Sequence, residues 1–303
     1  NACTVQNWSG TLGGTQNNAT DPQFLDLDGP DNLPFTADDD FRLALTSPMI
    51  DAGDNALLPI GSALDASRQP RVFDGDRNGV AVVDRGALER TFPDRIYVNA
   101  AGTSSSADGL SWATAYKGAL GLRQALANYP TQRPLEIWLA RGTYTPSAPL
   151  GQGGSRADSF NLLNGVAIYG GFQGNETLLS QRPALPTNAT DALDPAKATI
   201  LSGDLNGDDV GDVNGAENAF HVVSAVSVDA SALLEGLTLT AGRGDGPTTP
   251  GLWRHAGGGL LCVSAAPTVR SCALVRNTAQ TGGAVYVYNA SHPAFHDSLF
   301  ALN

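Results

Sequence analysis

Residues 257–303 read GGGLLCVSAAPTVRSCALVRNTAQTGGAVYVYNASHPAFHDSLFALN. They hold two copies of one pattern. The first runs from Gly258-Gly259 to Asn277 and the second from Gly282-Gly283 to Asn303. Aligning Pro267 with Pro293 puts Val269 on Phe295, Cys272 on Ser298, Leu274 on Phe300 and Asn277 on Asn303, an offset of 26 residues. Units of this size stack, each burying a face that it cannot cover alone. Within each copy, short alternating runs are broken by Gly, Pro and Asn, which reads as strand, turn, strand. Helical spacing is missing. The pattern predicts an all-β protein, a parallel β-solenoid in which each coil lays down one rung.

Composition agrees. The 303 residues include 35 Gly and 18 Pro, only 16% are charged, and the formal net charge is −12. Turn-rich β structure fits these numbers better than helix. Phosphate backbones call for clustered Lys and Arg, so no nucleic-acid partner is expected. An anionic membrane surface suits the charge no better, and no run is long enough to span a bilayer, so no membrane insertion is expected. Bound cations do suit it. Cys3, Cys262 and Cys272 are an odd set. Cys262 and Cys272 could pair, but buried free thiols packed as small hydrophobes are the preferred reading.

Three segments follow one another. Residues 1–90 begin with the strand-like tail of a coil, where Cys3 to Asn7 echo Cys272 to Asn277, and continue as irregular acidic loops. Residues 91–94 are a joint. Residues 95–303 begin a second β-helical unit. A helix is predicted over about 111–129, capped by Asp108 or Ser111, with Trp112, Tyr116, Leu120 and Leu126 near one face and Asn128-Tyr129-Pro130 ending it. Its expected role is to cover the first rung, whose N–H and C=O groups would otherwise stay unpaired.

The first segment carries DPQFLDLDGPDN (21–32), TADDDFRLALTSPMIDAGDN (36–55), RQPRVFDGD (68–76) and VVDRGALE (82–89). This phrase resembles the C-terminal end of bacterial surface proteins of the choice-of-anchor Q type, which have a pectin-lyase-like coil. RIYVNAAGTSSSADGLSWATAY (95–116), EIWLARGTYTP (136–146), DSFNLLNGVAIYGGFQGNET (158–177) and TILSGDLNGDD (199–209) resemble the beginning of the same kind of β-helix. An end thus precedes a beginning, which implies a window across the joint between tandem units, or a permuted unit. The resemblance implies a right-handed parallel β-helix (solenoid) and a secreted or cell-surface setting.

Metal ligation is the clearest chemistry. Asp204, Asn206, Asp208 and Asp212 alternate with Gly in a loop that could curl around a hard cation, and Ca²⁺ is the expected structural cofactor. The Glu of an EF-hand is missing from the twelfth position; Gly215 stands there and Glu217 two residues on. A solvated acidic turn is the alternative. Asp26, Asp28, Asp31, Asp38 and Asp40, with Asp39 among them, form a second candidate, since so many carboxylates repel unless neutralised or hydrated. Asp74, Asp76, Asn78 and Asp84 are a weaker third, because hairpin turns use the same dipeptides.

Catalysis is not expected. Hydrolases of the resembled fold carry Asn-Thr-Asp, Asp-Asp and Gly-His-Gly on successive rungs, and lyases set Arg or Lys beside Ca²⁺; neither set is recognisable on the rungs that align. His221, His255, His292 and His296 lack ligand spacing and read as surface residues. Trp112 and Trp138 read as core, whereas Trp8 and Trp253 could face sugars. The expected function is an extracellular structural protein, a subunit or repeat window of a β-helical filament or surface stalk. Both chain ends fall in strand-like sequence, so neighbouring copies of itself are expected head to tail. The alternatives are a surface adhesin that binds glycans and, less favoured, a polysaccharide lyase or hydrolase.

Overall fold

The computed structural model describes residues 19–28, 32–34, 36, 39–44, 47–75, 78–91, 93, 95–104, 107–129, 135–211, 213–249 and 251–303. The chain divides into two compact units, Asn1–Pro93 and Asp94–Asn303.

In the first unit, Phe24–Asp26 pairs antiparallel with Asp40–Leu43. Irregular backbone follows, and its amides need acceptors that no strand ladder supplies. Carboxylates take that role. Asp84 accepts the Asp51 N–H (2.8 Å) and the Arg90 N–H (2.5 Å). Glu89 accepts the Asp84 N–H (3.0 Å), and Asp65 accepts the N–H groups of Ser67, Gln69 and Glu89 at 2.7–2.8 Å. Asp65, Asp84 and Glu89 are buried, as are Leu43, Met49 and Val83 of the same unit. Of the third predicted acidic group, Asp74 accepts from the Gly79 N–H and Asn78 from the Val80 N–H, as turn formers; Asp76 lies outside the described residues.

The second unit is built on three parallel sheets with seven, five and four strands. From residue 160 onward, four successive passes of chain each give one strand to every sheet. The passes are 160–202, 223–240, 260–275 and 285–301. Side chains alternate across a strand, so every second residue points inward and lands on its counterpart in the next pass. One inward column in the seven-stranded sheet runs Ile96, Ile137, Ile168, Leu234, Val269, Phe295. In the five-stranded sheet the column is Tyr144, Leu201, Leu239, Leu274, Phe300. The four-stranded sheet stacks Phe160, Val223, Leu260 and Val285. Burying each aliphatic member contributes roughly 1.5–3 kcal/mol.

The 26-residue offset is seen directly in these pairings: Val269 lies opposite Phe295 and Leu274 opposite Phe300. The Gly-Gly segments stack one residue off their visual match. Leu260 faces Val285, so Gly258 falls beside Gly283. A Cβ on Gly242 would lie 1.8 Å from the Gly258 carbonyl oxygen, which is why this crossing point is made of glycine. Cys262 and Cys272 are buried free thiols, and burial pushes both up to about 12. Cys3 lies outside the described residues.

The predicted helix over 111–129 is corrected to Gly121–Asn128. Tyr116–Lys117 instead extends the seven-stranded sheet beyond Arg95–Asn99, and Gly118 turns the chain at φ +73. Asp108 and Ser111 accept N–H bonds from Leu110 and Thr114, within the turn before the helix, and Leu120 starts the helix without a side-chain cap. Trp112 packs on Tyr97 and Phe172. Tyr116 pairs with Val98 at that edge and is 7% exposed there, so tertiary pairing overrides the local helical periodicity.

Candidate metal centre

Between strand Thr199–Ser202 and strand Val223–Val226 the chain makes a loop whose base is closed by the Ala219 N–H donating to Gly203 O at 2.8 Å. Asp204 shapes its first half. Its Oδ1 accepts from the N–H groups of Gly207 (2.7 Å) and Asp208 (3.2 Å), and its Oδ2 from that of Asp209 (3.1 Å). Val210 and Val213 exchange backbone hydrogen bonds at the tip. Asn214 then takes the left-handed conformation at φ 72, and its Nδ2 donates to Asp208 O. That reversal feeds the 3₁₀ turn Gly215–Glu217, which swings Glu217 back under the loop.

Asp204, Asp208, Asp209 and Glu217 therefore each offer an oxygen, and these oxygens lie within 4.8 Å of one another. The four carboxylates could hold a metal ion. Arg243, whose charge partly offsets the shift at Asp209, makes its ion pair with Asp245. Burial raises the Glu217 carboxyl, and the charges of Asp208, Asp209 and Asp204 raise it further. Asp209 is likewise raised, by burial first and then by Asp204 and Asp208, although Asn218 Nδ2 donates to it at 2.7 Å. Four negative charges in so small a space disfavour ionisation unless a cation joins them.

Of the residues predicted for this loop, the structure brings Asp204 and Asp208 together, sets Asn206 on the exposed surface, and leaves Asp212 outside the described residues. It adds Asp209 and Glu217. Glu217 was missed as a member of the cluster because its position follows from the Asn214 reversal, which no fixed spacing encodes; the signal available was the lone Glu two residues past the expected place.

The second candidate is not assembled among the described residues. Asp31 and Asp38 lie outside them, as does the side chain of Asp26, and Asp28 is partly exposed. Asp40 is occupied by Arg42, whose Nη2 and Nε lie 2.5 and 2.8 Å away. Burial pushes Asp40 up, but the Arg42 bonds outweigh it and hold the carboxyl below its usual range.

An open groove of about 950 Å³ runs beside the carboxylates, with Asp204, Asp209, Asn218, Arg243, Arg276 and Gln280 along it. Basic side chains sit beside acidic ones at several places along the second unit. Glu235 lies between Arg182 (2.6 Å) and Arg270 (3.5 Å), and Arg243 meets Asp245 at 2.8 Å. Not every histidine is on the surface. His221 is 7% exposed with Nδ1 3.1 Å from Gly257 O. Trp138 is fully buried and stacks on Phe172 at 4.3 Å, as core. No family model matches the chain, and neither a curated protein nor a solved structure does.

Proposed function

We propose that this chain is an extracellular structural protein, a right-handed parallel β-helix whose units join end to end into a filament or surface stalk, with Ca²⁺ as a structural cation. The supporting observation is the register. Four passes lay strands on three sheets with side chain over side chain. Each rung therefore offers its neighbour the same row of N–H and C=O groups, and a strand from another copy can use that row by β-augmentation. Such contacts are heterologous and build open assemblies. The resemblance to choice-of-anchor Q surface proteins points the same way. Electron microscopy of the concentrated protein tests the reading: filaments or end-to-end dimers are expected, and well-separated monomers would reject it.

Glycan binding is a second reading, favoured by one observation. Trp253 packs on Tyr288 (4.1 Å between centroids) and near Tyr286 (5.9 Å), and Tyr288 is 43% exposed. Flat aromatic faces of this kind suit sugar rings. Retention on a glycan array that is lost in Tyr288→Ala would favour it.

A further inference from the structure

Three buried oxygens of the loop have no hydrogen-bond partner among the described residues: Asp209 Oδ1, Glu217 Oε1 and Asn218 Oδ1. Glu217 is 9% exposed and Asn218 4%. Buried acceptors left without donors destabilise a fold, and more so when charged. The fold nonetheless turns the Glu217 carboxylate toward Asp204, Asp208 and Asp209. A hydrated surface turn would not bury its acid in this way, and a bound cation would satisfy it.

We infer that Asp204, Asp208, Asp209 and Glu217 are the ligands of one Ca²⁺, and that the ion staples the loop to the coil at Gly203 and Ala219. This deepens the reading of the chain as a cation-bearing scaffold. The donor set decides the metal. All four donors are hard carboxylate oxygens, without the His or Cys that zinc and copper favour. Ca²⁺–O distances of about 2.3–2.6 Å put oxygens on opposite sides of the ion up to roughly 5 Å apart, which accommodates a cluster within 4.8 Å. Mg²⁺ at about 2.0–2.1 Å needs a tighter octahedron and keeps most of its water. Asp204 is already held by three backbone N–H groups, so it gives one end of the staple a fixed position. Glu217 provides the other end, a few residues before the next pass begins at Val223.

The test is calorimetric titration of the full chain with CaCl₂ after chelator treatment, with MgCl₂ for comparison and thermal unfolding alongside. Ca²⁺ binding is expected with Kd of about 0.1–1 mM, the range of extracellular modules, together with a rise in Tm. Glu217→Gln and Asp208→Asn should each weaken it by about tenfold or more, whereas Asp297→Asn, on the exposed surface of another loop, should not. Circular dichroism checks the fold of each variant. Should Glu217→Gln fail to fold, Asp208→Asn decides, since Asp208 is exposed. The inference is overturned if no binding occurs up to about 10 mM Ca²⁺, or if binding survives both substitutions unchanged. Microscopy of the same samples keeps the two claims apart. Monomers that bind Ca²⁺ would reject the filament and keep the site, and filaments without Ca²⁺ binding would do the reverse.

Discussion

Asn277 Nδ2 donates to Asn303 Oδ1 across 3.0 Å, joining side chains of two successive passes that stand 26 residues apart. Asn277 is fully buried. Its Nδ2 also reaches Leu239 O at 2.9 Å, and its Oδ1 accepts the Gly242 N–H at 3.1 Å, so one amide ties three passes together. Asn277→Ala should destabilise the second unit by about 2–4 kcal/mol, because several buried backbone groups lose their partner at once. Asn277→Asp, nearly the same shape, should cost at least as much, since a carboxylate cannot donate to the Leu239 carbonyl. Urea denaturation of both variants checks this; a loss under about 0.5 kcal/mol for Asn277→Asp would refute the argument.

Glu89 gives the first unit a pH dependence. Burial raises its carboxyl from 4.5 to about 7, helped by Asp84 and Asp65 and opposed by the Asp84 N–H and by Arg71 at 3.2 Å. For a carboxyl raised on folding, the native state holds the proton between the two values while the unfolded state has released it. This contribution is therefore fully present below about 4.5, falls as pH rises, and is gone above about 7. It amounts to roughly 3 kcal/mol at most. Hydrogen exchange of residues 47–90 in the full chain should show protection declining over that window, and Glu89→Gln should flatten the decline.

The two arginines beside Glu235 are not equivalent. The side chains of Arg182 and Glu235 are each 11% exposed and meet at 2.6 Å, whereas that of Arg270 is 51% exposed and sits at 3.5 Å. Glu235→Ala strands a buried guanidinium and should cost about 2–4 kcal/mol. Arg270→Ala should stay within about 0.5 kcal/mol. Thermal or urea unfolding of both variants measures the difference.

Cys262 and Cys272 should be inert in the native protein. Their thiols, pushed up to about 12 by burial, hold almost no thiolate at neutral pH. Iodoacetamide should leave both peptides unmodified by mass spectrometry until denaturant is added. Fast native labelling at Cys272 would show that the third pass opens locally.

Much of the fold was legible because a stacked rung is written locally. Each strand alternates with period two, each turn carries its own Gly, Pro or Asn, and the next rung repeats the statement. Pro267 and Pro293 sufficed to align Val269 with Phe295, and the pairing follows. The helix was misread for the opposite reason. Residues 111–120 have helix-compatible periodicity, but the open edge at Val98 offered Tyr116 a ladder, and neither Gly118 nor Trp112 announces that competition. In the acidic loop, composition pointed to a cation and spacing to Asp204 and Asp208, but not to Asp209 and Glu217, which complete the cluster.

The residues by themselves determined the repeat, the β class and the acidity of the loops, since all three are properties of short stretches. Only the tertiary structure decided which carboxylates share a space. Asp40 went to Arg42, and Asp65, Asp84 and Glu89 went to backbone amides; Asp209 and Glu217 went to the loop of Asp204. The physical reason is that a carboxylate takes whichever donor the folded backbone brings within reach, and that distance is set by turns such as the left-handed Asn214, not by separation along the chain.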